Sequence, residues 1–473
     1  MEKRGFASLK HSSYDRKNQR GSLHSSMTPV LIDAVGDTVL EYNLIALEKR
    51  GQLYEKTVLN NGLRLLTVNM PHTRSVSISF FIGVGSRYET ETQAGISHFI
   101  EHLCFKGTSR RASAAEISAA IEGVGGVLNA GTDKELTIYW CKVAQPHFLL
   151  ALDVLVDMLV NSRFDPPDIE RERQVIIEEI HMTKDSPSQE VNLLIDGLLW
   201  PGHPLGRDTA GSKDSVSGIT REMMLGYLEN QYLPANTVVA IAGNVQHDIA
   251  LSVLSEAMGR WKSRQHHPTF MPYQEQKNRR LLIQRRDTEQ AHLCLALPGL
   301  PLLHPKRFVL DLLNVILGEG MSSRLFTEIR DNLGLAYNIH SYADHFQDSG
   351  STIVYAGVEP RNLRAVIEAI LEQLSRLKAE TVPEVELTKA KELSKGRVWL
   401  RMEDSRNVAG WVGGQEILTG QILTVDQALA IIDAITTDQI KQLAEEMLVG
   451  DRLRLAVVGP IPEDEPLEPL LKL

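Results

Sequence analysis

Thr237-Val-Val-Ala-Ile-Ala-Gly243-Asn-Val is an apolar run of strand length that ends on a glycine. Its counterpart stands near the end of the chain as Leu453-Arg-Leu-Ala-Val-Val-Gly459-Pro-Ile, and the two glycines are 459 − 243 = 216 residues apart. Residues 77–82 before Gly83 and 293–298 before Gly299 repeat the relationship, since 299 − 83 = 216. One offset shared by two separate landmarks predicts a duplicated domain of about 215 residues.

Between the landmarks, strand and helix patterns alternate irregularly. Residues 58–70 read as strand, turn at Asn60-Asn61-Gly62, and strand; 126–132 and 135–144 read as further strands. Helical periodicity covers about 93–104, 113–123, 146–200 and 220–231. This mixed order predicts an α+β fold of two homologous domains, each a mostly antiparallel sheet packed with helices. The expected boundaries are a flexible extension over 1–50, a first domain over 51–262, a polar, proline-bearing linker over 263–278 and a second domain over 279–473.

Composition narrows the function. Fifty Lys+Arg against 60 Asp+Glu give a net charge of −10, which argues against a protein built to grip nucleic acid. Three cysteines, Cys104, Cys141 and Cys294, are too few for a disulfide scaffold and fit a reducing compartment. No apolar run is long enough to span a membrane, and no secretory signal pattern opens the chain. Residues 1–26 carry six Lys/Arg and two acids; the pattern reads as a tail more readily than as an organelle presequence. An intracellular site is expected, a bacterial cytoplasm first and an organelle matrix second.

Residues 98–102 read His-Phe-Ile-Glu-His. On a helix, His98, Glu101 and His102 share one face. Two imidazoles at i and i+4 can hold one Zn²⁺, and a glutamate beside them can take a proton from water. The order inverts that of the zincin motif HExxH, but the helix face sets the geometry, not the order. A third ligand is needed. Glu172 and Glu179, seven apart, share a face of a second helix. Glu179 is the candidate ligand, with Glu172 behind it as an electrostatic support.

The chain resembles the pitrilysin/insulinase family of zinc peptidases, most closely the mitochondrial-processing-peptidase branch and its bacterial relatives. The resemblance rests on HxxEH with a glutamate 76 residues beyond His102, on Gly95–Thr108, on Gly125-Gly-Val-Leu-Asn-Ala130 and on residues 170–182. It implies His98, His102 and Glu179 as ligands of one Zn²⁺ and Glu101 as general base. Glu178, about 100° round the helix, is the alternative ligand. Arg324-Leu-Phe-Thr-Glu-Ile-Arg330-Asp-Asn-Leu-Gly-Leu-Ala-Tyr337 resembles a family segment whose Arg and Tyr reach the substrate, so those roles fall to Arg330 and Tyr337. Asn129 and Ala130 are implied on a strand that binds peptide by backbone pairing. Glu190 is a candidate acidic pocket for a basic residue; Leu194 stands where a second acid is expected, which weakens an arginine preference. The resemblance further implies two halves forming a clam-like half chamber, and pairing of two such subunits as a homodimer or a heterodimer.

At an offset of 216, His98, Glu101 and His102 correspond to Asn314, Leu317 and Gly318, so the second domain is expected to be metal-free. The function expected is a zinc endopeptidase acting on unfolded or presequence-like peptides. The rival is a non-catalytic structural or partner subunit of a processing-peptidase-like complex, which the intact motif disfavours. A phosphate loop at Gly318-Glu-Gly320 lacks the Lys-Ser/Thr such a loop needs.

Overall fold

The computed structural model describes residues 53–264, 268–276 and 279–473; the extension expected over 1–50 lies outside them. The first half runs β1 (Glu55–Val58), β2 (Arg64–Asn69), β3 (Ser75–Ile82), α1 (Ile96–Cys104), α2 (Ala114–Glu122), β4 (Val127–Thr132), β5 (Thr137–Ala144), α3 (Phe148–Asn161), α4 (Pro166–Asp185), α5 (Pro187–Leu199), α6 (Lys213–Gly218), α7 (Arg221–Gln231), β6 (Thr237–Gly243) and α8 (His247–Met258). The second runs β7 (Leu281–Arg285), β8 (Ala291–Pro298), α9 (Arg307–Gly318), β9 (Ala336–His345), β10 (Gly350–Val358), α10 (Leu363–Ala379), α11 (Glu384–Met402), α12 (Ser405–Thr419), α13 (Val425–Ala434), α14 (Thr437–Met447) and β11 (Arg454–Gly459).

The strands form two sheets, ordered β1-β2-β6-β3-β5-β4 and β7-β11-β8-β10-β9. Without β1 the orders are equivalent, strand for strand. Each sheet has one parallel pair, β2 with β6 and β7 with β11, and is otherwise antiparallel. The duplication is therefore one of topology, and the fold is α+β with two domains.

Central strands such as Thr237–Gly243 are buried throughout and mostly apolar because both faces of each sheet are covered. On one face of the first sheet, Val76, Ile78, Phe80 and Ile82 pack on α1, α2 and α3. On the other, Phe81, Val238 and Ala240 meet Val408, Ala409 and Val412 of α12, a helix from the second half. Reciprocally, Val191, Ile195 and Leu198 of α5 cover Cys294, Ala296, Ile353 and Val458 of the second sheet. The two exchanged helices are equivalents at the 216-residue offset, which takes Gly197 to Gly413. A Cβ at Gly413 would come within 2.2 Å of the Phe81 ring, so glycine is what lets α12 seat on the sheet.

The halves also meet at their hairpin turns. The turn after β4 presents Glu135, which accepts from Gln347 N in the turn after β9, at 3.1 Å to each carboxylate oxygen. Arg87, fully buried, pairs with Glu135 and Asp348, each at 2.5 Å. Residues 268–276, part of the expected linker, have irregular backbone but are not a loose tether. The Phe270 ring lies 3.9 Å from the Arg87 guanidinium, Met271 O accepts from Arg87 at 3.2 Å, and Tyr273 N donates to Asp348 at 2.8 Å. No helix among the described residues is long and apolar enough to cross a membrane.

Candidate metal centre

Helix α1 begins where the chain turns at Gly95, whose φ of +92° and 2.4 Å approach of a would-be Cβ to Ala210 O both call for glycine. Two N–H groups at the start of the helix lack partners within it. Buried Glu89 supplies them: its carboxylate accepts from Gly95 N at 2.7 Å and Ser97 N at 2.8 Å. Ile96, Phe99, Ile100 and Leu103 are buried, which fixes the rotation of the helix and turns His98, Glu101 and His102 outward together. Helix α4 opens with Pro166 at its first position and buries Ile169, Ile176, Ile177 and Ile180. It crosses α1 so that Glu179 faces the two imidazoles.

His98 Nε2 and His102 Nε2 are 3.2 Å apart, and Glu179 Oε2 lies 3.8 Å from the first and 3.6 Å from the second. The donor atoms of the three residues all fall within 4.8 Å of one another. Two ligands about 2.0–2.1 Å from a tetrahedral Zn²⁺ sit roughly 3.3–3.4 Å apart. The spacing thus fits the ion, as does a set of two nitrogens and one carboxylate oxygen. His102 Nδ1 is 3.1 Å from Glu172 Oε2, which accepts a hydrogen bond from Nδ1–H and so leaves Nε2 with its lone pair. Lys106 holds the other Glu172 oxygen at 2.7 Å. Burial, with His102 beside it, pushes the His98 imidazole down to about 4, so it is neutral near pH 7 and able to ligate.

Glu101 stands on the same face without joining the cluster. Its Oε2 accepts from Thr132 Oγ1 at 2.5 Å. Burial raises its carboxyl above the usual range, Thr132 and His102 oppose that rise, and Glu179 adds to it.

Glu172 contacts His102 at 3.1 Å, the ligand candidate on the facing helix. The Glu178 side chain is 74% exposed, lies 3.8 Å from His181 and is outside the converging group. Asn129 and Ala130 lie on β4, the edge of the first sheet beside α1. Asn129 Oδ1 accepts from Ala130 N at 2.8 Å, so that N–H faces the open edge and not β5. Glu190 is buried in the first turn of α5, its Oε2 without a hydrogen-bond partner among the described residues. Leu194 packs on the core under α5. Arg330 lies in the π-helical segment Phe326–Asn332 and stacks over the Tyr337 ring at 4.8 Å; Tyr337 is 78% exposed. Thr132, Glu89 and Lys106 had no signature in the sequence, because each acts across a fold contact that no periodicity marks.

The corresponding place in the second half is closed. Asn314 and Leu317 are buried, and Asn314 Nδ2 donates to Glu319 at 2.8 Å. A Cβ on Gly318 would lie 2.6 Å from Ser341 N, which leaves no room for an imidazole.

Residues 64–213 match the family described as Insulinase (Peptidase family M16), and 218–394 match Peptidase M16 inactive domain. A Bacillus subtilis protein named Uncharacterized zinc protease YmxG is 35% identical over 86% of this chain and 98% of its own. A Mycobacterium leprae protein named Uncharacterized zinc protease ML0855 is 37% identical over 88% and 94%. The crystal structure of a protease from Helicobacter pylori superposes with a TM-score of 0.82 at 23% identity, covering 86% of this chain and 99% of that one.

Proposed function

The chain belongs to the insulinase family of peptidases, family M16, and we propose that it is a zinc-dependent endopeptidase for unfolded or presequence-like peptides. The observation that carries this reading is the convergence of His98 Nε2, His102 Nε2 and Glu179 Oε2, with Glu101 beside them and outside the ligand set. The zinc-protease names of the relatives support it.

His98, His102 and Glu179 would hold one Zn²⁺, which when bound supplies Lewis acidity toward a carbonyl and acidifies water. The chain's own residues do the rest. Glu172 keeps His102 in the ligating tautomer. Glu101 takes the proton of the attacking water and returns it to the leaving amine. A peptide lies along the free edge of β4 by backbone pairing at Asn129 and Ala130, which reads little sequence. Arg330 and the exposed Tyr337, stacked on each other, bind the substrate or its oxyanion from the second half. Glu190, with a buried carboxylate oxygen that has no partner among the described residues, is suited to a basic side chain; Leu194 leaves that preference weak. The two halves enclose a half chamber, and two subunits, identical or related, complete it. A bacterial cytoplasm fits the bacterial source of the relatives.

The test is mass-spectrometric mapping of cuts in unfolded peptides, with chelator and with zinc restored. Internal cuts that vanish with chelator and return with zinc are expected. Their absence at full zinc occupancy would overturn the proposal.

A further inference from the structure

We propose that Thr132 is a positioning residue that aims Glu101, and that it ties the base to the strand on which peptide is laid. This rests on the endopeptidase reading above and adds a residue to it.

Glu101 has three rotatable side-chain bonds and is outside the ligand cluster, so nothing in that cluster fixes its carboxylate. Among the described residues its one side-chain hydrogen bond is to Thr132 Oγ1, at 2.5 Å. That bond engages Oε2 as an acceptor and leaves Oε1 for the proton of water.

Thr132 is suited to hold a direction. Its β-branch restricts χ1. It is the last residue of β4, pairs with Thr137, and shares by strand alternation the face of Leu128 and Ala130, both packed on the core beneath α1. The turn that follows is clamped. Asp133 O accepts from Ser86 N at 3.1 Å, Lys134 O from Arg87 N at 2.8 Å, and Glu135 from Arg87 and from Gln347 of the second half.

The placement links two events. Ala130, two residues before Thr132, points its N–H at the open edge of β4. A peptide pairing there stiffens the strand from which the hydroxyl reaches Glu101. Order in the strand is thereby order in the base, so the bond should matter to turnover more than to peptide affinity.

Two variants of the full chain separate this from a packing role. Thr132→Val keeps the shape and removes the donor; Thr132→Ser keeps the donor. Thr132→Val should bind one zinc, hold KM within about twofold and lose roughly 30- to 100-fold in kcat, the scale of a small misplacement. Thr132→Ser should stay within about threefold of wild type. In a crystal structure of Thr132→Val the Glu101 carboxylate should leave its present position. Wild-type kcat in Thr132→Val, an equal loss in Thr132→Ser, or a loss matched by zinc loss would each overturn the proposal. Should the wild-type chain prove unable to cut peptides, the endopeptidase reading fails alone. The crystal structure then decides the role of Thr132, an unmoved Glu101 refuting it and a displaced one upholding it.

Discussion

Gly318 lies against Ser341 so closely that a Cβ there would come within 2.4 Å of the serine hydroxyl. Gly318 corresponds to His102 at the 216-residue offset. The second half thus lacks the metal face by closure as well as by substitution: α9 sits down on β9 at Gly318 and Ser341, and no imidazole fits between them. Gly318→Ala should overpack this contact and destabilise the chain by about 1–3 kcal/mol, read as a lower melting temperature. The pair Asn314→His with Gly318→His should add no second zinc per chain by elemental analysis. A stoichiometry of two would show that the second half can reopen.

Glu101→Gln preserves volume and removes the base. Because Glu101 is not one of the three converging residues, zinc content should be unchanged while peptide cleavage falls by about 10²–10⁴-fold. Measured turnover near that of the wild type would take the base role away from Glu101.

Glu172 is buried and divided between His102 and Lys106. Glu172→Gln should leave the fold intact but release the Nδ1 proton of His102 from a charged acceptor. Competition with a calibrated chelator should find zinc held about 10–100-fold more weakly. An unchanged affinity would make the contact incidental.

Much of this architecture is legible in the residues alone, for identifiable reasons. Strands buried on both faces leave apolar runs that end on glycine, and a duplication leaves two of them at one offset. HxxEH is legible because three neighbours on one helix face need no knowledge of the fold. The exchange of α5 and α12 is not. The apolar face of Val191, Ile195 and Leu198 reads the same whichever sheet it covers. The seven-residue spacing of Glu172 and Glu179 shows that they share a face, but not that α4 passes α1 with Glu172 level with His102. Thr132 and Glu101 are 31 residues apart, and only the sheet edge brings them together.

Arg87 gathers Glu135 from its own half and Asp348 from the other, under the ring of Phe270. A buried cation shared by two carboxylates leaves both uncompensated when it is removed. Arg87→Ala should cost about 3–5 kcal/mol. Hydrogen exchange should show the loss of protection concentrated in the turns after β4 and β9. Loss spread evenly over both sheets would mean that the cluster does not join the halves.

Asp196 lies on α5, the helix lent to the second sheet, with Lys134 at 3.6 Å. Burial pushes its carboxyl up from 3.8 to about 6, against the pull of Lys134. A carboxyl with a raised pKa binds its proton more tightly in the folded state than in the unfolded one. Between pH 3.8 and about 6 the folded chain therefore holds the extra proton, and stability falls as pH rises through that window. The loss is complete above it and amounts to about 2–3 kcal/mol at most. Asp196→Asn cannot ionise, so it should flatten this part of the pH–stability curve, measured by denaturant titration at pH 4, 5, 6 and 7. Since the halves are joined through α5, the flattening should appear in the unfolding of both sheets together. Parallel curves for wild type and variant would mean that Asp196 is ionised throughout and that Lys134 outweighs burial.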